Sequence, residues 1–207
     1  DAGETWEKRT DKDGLPEGDL GRLGLAVAKS NPDVVYAIVE AKENALYKST
    51  DGGKKWQKMA DKGQGDRPFY YAEIYVDPKN ENRVYSIYTV ISKSEDGGKS
   101  FSTWAGWTIH PDHHAFWISP DNPNYIINGN DGGLNITLDG GKTWRYAENI
   151  PVGQFYHVET DNEWPYNVYG GLQDNGSWVG PSAAWKYGGI RNSDWQELYF
   201  GDGFETL

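Results

Sequence analysis

Three octapeptides of one shape, STDGGKKW at 49–56, SEDGGKSF at 94–101 and TLDGGKTW at 137–144, recur along the 207-residue chain. Their aspartates, Asp51, Asp96 and Asp139, stand 45 and 43 residues apart, and DAGETW, beginning at Asp1, is a shorter version 50 residues before Asp51. A second marker keeps step with the first. Pro32, Pro78 and Pro120, each in a Pro/Asn-rich turn ahead of an apolar run, precede the three aspartates by 19, 18 and 19 residues. Two markers at nearly fixed separation define a structural unit of about 40–50 residues, the length of four short strands and their turns.

Each unit divides into four strands. The first strands are RLGLAVAKS, FYYAEIYVD, HAFWISP and QFYHVETD, which alternate or run apolar as strands buried on both faces do. The second follows the Pro/Asn turn, the third (ALYKS, VISKS, LNITL) leads into the octapeptide, and the fourth begins at its aromatic residue. Composition agrees: 14 Tyr, 10 Trp and 26 Gly against a single Met favour strands and tight turns over helices. The fold class expected is all-β.

The octapeptide has a mechanical reading. Ser49, Ser94 and Thr137 can hydrogen-bond backbone amides across a hairpin turn, and Asp51, Asp96 and Asp139 can accept more of them. Glycines, among them Gly53, Gly98 and Gly141, supply positive φ, and Trp56, Phe101 and Trp144 fold back to bury aromatic surface. These residues make the fold and are not catalytic.

On these motifs the chain resembles the Asp-box (BNR) repeat β-propellers. The forms NGNDGGLNITLDGGKTW and YGGLQDNGSWVG are most similar to secreted bacterial propellers of the sortilin/VPS10-like and xyloglucanase-type glycosyl hydrolase-like kinds. The resemblance implies four-stranded antiparallel blades with the boxes at their periphery, away from an axial face that binds ligands. One β-propeller fragment over 1–207 is expected: a blade tail at 1–10, blades at about 20–60, 68–105, 108–147 and 153–198, and the start of another at 199–207. The chain is then a partial, open arc of a larger propeller whose remaining blades are its partners. Secretion to an extracellular or periplasmic compartment follows from the resemblance alone.

Charge narrows the partners. A formal net charge of −11 repels phosphate backbones and anionic lipid, so nucleic acid is excluded, and no apolar run is long enough for membrane insertion. With no cysteine, disulfides and thiolate metal sites are absent.

Candidate chemistry lies between the repeats. His110, Asp112, His113 and His114 in HPDHH could hold a divalent metal through His110, Asp112 and His113, or line the channel with hydrogen bonds. In a strand His113 and His114 point to opposite faces, which weighs against one shared site. Asp131, and Gln173, Asp174 and Asn175, follow the second strands of their units; they suit sugar hydroxyls or Ca²⁺, or are polar turns satisfying their own backbone. No cofactor is required, although calcium is possible. Trp107 and Trp178 lie beside these loops as stacking candidates, and Arg22 is the sole arginine near the start of a first strand. Glycoside hydrolysis needs two flanking carboxyl groups, with Asp112, Asp131, Asp174 and Asp202 available. Sialidase chemistry is disfavoured by the missing Arg-Ile-Pro element and only six arginines. The residues thus point to a module binding a protein or polysaccharide at its axial face, with a glycoside hydrolase as the alternative.

Overall fold

The computed structural model describes residues 3–65, 68–150 and 152–206; Asp1, and with it the start of DAGETW, lies outside them. The chain divides into two compact units, Asp1–Tyr146 and Ala147–Leu207.

The first unit holds three four-stranded sheets. They comprise β1 (Leu23–Val27), β2 (Val35–Val39), β3 (Ala45–Ser49) and β4 (Gln57–Lys58); β5 (Glu73–Asp77), β6 (Asn80–Ile87), β7 (Ile91–Ser94) and β8 (Ser102–Ala105); and β9 (His113–Ile118), β10 (Ile126–Asn130), β11 (Gly133–Thr137) and β12 (Arg145–Tyr146). The second unit holds one sheet, β13 (Phe155–Thr160), β14 (Asn167–Leu172), β15 (Ser177–Pro181) and β16 (Gln196–Tyr199). In all four sheets every strand pairs antiparallel with the next in sequence. Tyr199 ends β16, so the boundary expected at 198 falls inside that strand.

The first unit's sheets are apolar on both faces because each covers its neighbour. Tyr36, Ile38 and Leu46 of the first sheet form one buried cluster with Ala72, Ile74 and Val84, from β5, β6 and the residues before β5. On the opposite face of that second sheet, Tyr85, Ile87 and Ile91 pack with Phe116, Ile118 and Ile126 of the third. Tyr36 also crosses between sheets to donate its hydroxyl to Glu81 O at 2.7 Å.

The other face of the first sheet is half covered. Leu15 and Trp56 pack on Ala37, Val39, Ala45 and Tyr47. Leu15 follows a single 3-10 turn at Asp11–Asp13 that Thr10 and Asp13 cap reciprocally. Trp56 N–H donates to Asp13 O at 2.7 Å, which ties this strap to the sheet. Gly14 has φ +93°, and a Cβ there would lie 2.0 Å from Trp56 O, so only glycine fits. Nothing in the repeat pattern announced the strap. Along β1 the side chains of Leu23, Leu25 and Val27 remain exposed.

The octapeptides form three hairpin turns with one hydrogen-bond pattern. Ser49 Oγ accepts from Gly53 N–H at 2.9 Å and donates to Asp51 at 2.8 Å, while Asp51 Oδ1 accepts from the amides of Lys54 and Lys55. Ser94, Asp96 and Gly98 repeat the pattern, as do Thr137, Asp139 and Gly141. Trp56, Phe101 and Trp144 are partly buried, each packed against a different cluster. Trp56 returns its indole N–H to its own turn at Gly53 O, as Trp6 does at Gly3 O, whereas Trp144 Nε1 has no partner.

The fixed spacing of the two sequence markers has a direct cause. Gly52, Gly97 and Gly140 donate their amides to Asp33 O, Asn82 O and Asn124 O, at 2.9, 2.9 and 3.0 Å. Each octapeptide turn therefore docks on the Pro/Asn turn of its own sheet.

Candidate functional site

Antiparallel order gives each sheet two distinct ends. In the first unit the octapeptide turns and the Pro/Asn turns share one end, where the former donate glycine amides to carbonyls of the latter. The opposite end carries the β2–β3, β6–β7 and β10–β11 turns and the residues at 59–65, 68–72 and 106–112 ahead of β5 and β9.

At that second end the HPDHH segment opens out. Asp112 has φ +59°, a left-handed conformation rare outside glycine and tolerated best by Asp and Asn. Its amide donates to Thr89 O at 3.1 Å, and its carbonyl accepts from Asp131 N–H at 3.2 Å, so the three loops are stitched together. The Asp112 carboxylate accepts a short hydrogen bond from the Tyr71 hydroxyl, which also contacts Thr89 Oγ1 at 2.9 Å. Beside it, His114 Nε2 meets Asp131 Oδ1 at 3.0 Å, with both side chains partly exposed. The rings of Tyr71 and His114 lie 5.0 Å apart, joining the Tyr71–Asp112 and His114–Asp131 pairs into one patch.

His113 and His114 point to opposite faces of β9, as strand alternation requires: His113 is buried and His114 exposed. Asn128 Nδ2 donates to Ala115 O, so its Oδ1 is the acceptor for His113 Nδ1–H at 2.9 Å. Nε2 is left buried without a partner. Burial holds the His113 pKa below its ordinary value, against the opposing Asn128 bond. His110 Nδ1 turns to Pro111 O at 3.1 Å, and its side chain closes against Gly132, where a Cβ would meet it at 2.5 Å. His110, Asp112 and His113 thus each face a different partner. Among the described residues no three His, Cys, Asp or Glu side chains are placed to hold a metal ion.

Arg22 is already engaged, with Nη1 on Tyr70 O at 2.7 Å and Nη2 on Glu73 at 3.3 Å. Trp107 stands out in its loop at 79% exposure. Tyr71 and Thr89 were not legible as site residues. FYY reads as strand, but β5 starts only at Glu73, which leaves Tyr71 in the link.

In the second unit the β14–β15 turn carries Gln173, Asp174 and Asn175. Asp174 is left-handed at φ +60°, and its amide donates to Asp202 Oδ1 at 2.9 Å. Asn175 Nδ2 donates to Gln173 O, and Trp178 Nε1 donates to Asn175 O at 2.7 Å, so the indole edge is fixed to its own turn. Residues 201–203 lie along this turn through Gly176 N–H to Gly201 O and Gly203 N–H to Leu172 O. Gly171 and Gly203 approach so closely that a Cβ on Gly171 would sit 2.3 Å from Gly203 C.

No family model and no curated protein matches the sequence. Among solved structures, a GH74 enzyme of Niastella koreensis is 15% identical over 85% of this chain and 30% of its own, with a TM-score of 0.50. YCF48 bound to D1 peptide is 14% identical over 95% of this chain and 57% of its own, with a TM-score of 0.52. The chain has a β-propeller fold. Its four sheets are propeller blades, and the chain spans less than two thirds of either relative. At such identity the likeness concerns the fold, and any activity has to be argued from the propeller's own side chains.

Proposed function

We propose that this chain is part of a secreted, extracellular or periplasmic Asp-box propeller that binds a protein or polysaccharide ligand at the blade end opposite its boxes. The observation that carries the reading is the Asp112 patch: a carboxylate on a left-handed backbone, bonded to Tyr71 and flanked by the His114–Asp131 pair, where three loops converge. Such a patch offers carboxylate acceptors and the exposed His114 imidazole to a polar ligand. The other end is occupied by the octapeptide turns docked on the Pro/Asn turns. GH74 enzymes and the peptide-bound YCF48 use the same architecture, which is compatible with either ligand class.

Binding accounts for the patch better than hydrolysis does. A glycosidase needs one carboxyl as acid and a second as base or nucleophile, both facing the scissile bond. Here Asp112 is held by a phenol and Asp131 by an imidazole, and Asp202 accepts the Asp174 amide. Further blades of a larger propeller would cover the aliphatic row of Leu23, Leu25 and Val27 on β1.

Affinity electrophoresis in hydroxyethylcellulose gels, with a synthetic peptide array as the protein-ligand arm, tests the reading. Asp112→Asn keeps the left-handed backbone and removes the charge, and it is expected to weaken whichever interaction is found by about tenfold. Asp139→Asn, at the box end, is expected to leave affinity within about twofold. Equal losses in both variants, or loss in Asp139→Asn alone, would place the ligand elsewhere.

A further inference from the structure

The fourth sheet departs from the other three at one place. The first three join their third and fourth strands through 50–56, 95–101 and 138–144, the octapeptide turns, whereas β15 and β16 are joined by 182–195, a loop twice as long that contains no such octapeptide. By strand order this loop shares its end of the sheet with the β13–β14 turn at 161–166. Ser182 N–H donates to Tyr166 O at 2.9 Å and joins the two. Trp164 and Trp185 stand within three residues of that bond at 93% and 97% exposure, and Tyr187 follows at 99%.

The loop that presents these rings is itself held. Asn192 Nδ2 donates to Glu148 O at 2.7 Å, and the Asp194 carboxylate accepts from Lys186 Nζ and from Arg191 N–H. Trp195 closes over Gly180, where a Cβ would meet its ring at 2.4 Å. Rings carried on a pre-set loop bind without first having to be ordered. At the same position of the first three sheets the aromatics Trp56, Phe101 and Trp144 are packed into clusters. A ring lying on a face of the sheet would lose surface to it, so exposure this complete places Trp164, Trp185 and Tyr187 clear of the faces on which a further blade would pack.

Charge selects the partner. Residues 147–207 carry nine Asp or Glu against two Lys or Arg, a net −7 of the chain's −11. Both cations lie on this loop and are engaged within it, Lys186 by Asp194 and Arg191 by Tyr187 O. Glu163, next to Trp164, makes no ion pair among the described residues. Such a field repels nucleic acid, anionic lipid and a second copy of the chain alike. Exposed rings beside a carboxylate suit a cation that can also lie flat on an aromatic face, and the arginine guanidinium does both.

We propose that this end of the fourth sheet docks an arginine-rich segment of a partner protein, with guanidinium groups stacked on Trp164, Trp185 and Tyr187 and paired with Glu163. The surface shares no residue with the Asp112 patch, and the proposal stands whether or not that patch binds a ligand.

Titrating the ¹⁵N-labelled chain with octaarginine tests it by amide shifts, with octalysine as the probe of equal charge and cellotetraose as the neutral one. Saturable shifts at 163–164 and 185–191 are expected, and octalysine should bind about threefold more weakly or worse. The Trp185→Ala/Tyr187→Ala variant should raise the octaarginine Kd about tenfold, and it keeps its fold because both side chains are almost wholly exposed. Octalysine binding as tightly as octaarginine, or an unchanged Kd in the variant, would reduce the contact to diffuse charge and overturn the proposal. So would a spectrum unmoved by octaarginine, or cellotetraose shifting 185–191 in its place. Octaarginine shifts confined to 110–114 and 131 would overturn it while leaving the loop-end reading intact.

Discussion

Replacing Tyr36 by alanine is expected to destabilise the first unit by about 3–5 kcal/mol, the range for removing a large buried aromatic. Tyr36 is fully buried at the joint between the first two blades, in the same apolar cluster as Ile38, Leu46, Ala72, Ile74 and Val84. Its hydroxyl donates to Glu81 O, and Lys48 Nζ sits 5.3 Å from the ring centroid. Truncation would therefore leave a cavity, an unpaired carbonyl and a lost cation–π contact at once. Leu25, apolar but exposed on β1, is the control: Leu25→Ala should change stability by no more than about 0.5 kcal/mol. Chemical denaturation of the two variants, followed by tryptophan fluorescence, checks the contrast. Equal and small effects would mean that the blades do not support one another as described.

The second large effect is expected in acid. The Asp139 carboxyl is held at about 2, chiefly by the Thr143 amide and hydroxyl and by Thr137, against its ordinary 3.8. Burial pushes the Asp96 carboxyl up, but the hydroxyls of Ser100 and Ser94 and the amides of Ser100 and Lys99 outweigh it and bring it to about 2. Asp51 is lowered too, first by the Lys55 amide and then by Ser49. All three are depressed in the folded state, so the unfolded chain binds more protons as pH falls below 3.8. Their stabilisation is complete above the unfolded value and drains away between about pH 4 and 2. Urea midpoints measured across that window should fall steeply in the native protein. In the Asp51→Asn/Asp96→Asn/Asp139→Asn variant they should start lower and slope less, whereas an unchanged slope would show that these turns carry no linkage.

Legibility differed sharply between the two ends of the blades. The octapeptide turns could be read residue by residue because their chemistry is local: Ser94, Asp96 and Gly98 bond within five positions, and the docking of Gly97 on Asn82 keeps the longer spacing constant. Most strands, FYY apart, were legible because apolar runs and alternation leave a pattern in the sequence. The loop end has no such signature. Tyr71, Thr89 and Asp112 are far apart in sequence and meet only because β5, β6–β7 and β9 are neighbours in space. HPDHH was visible as a cluster, but its side chains diverge: His113 enters the core, His114 faces outward and His110 turns to its own neighbour's carbonyl. The strap at Thr10–Leu15 was missed for a related reason, being a unique addition to a repeat.

Amide exchange measured by NMR at neutral pH tests most directly whether the acidic turns belong to the fold and leave the opposite end for recognition. The amides of Gly53, Gly98 and Gly141 each donate to a Ser or Thr oxygen within a turn, at 2.9, 2.9 and 2.8 Å, and the account predicts exchange as slow as in the adjoining β2–β3 ladder. Cellotetraose should leave their shifts unmoved. Exchange as fast as in the open loop at 106–109, or movement of these three signals on adding the sugar, would contradict it.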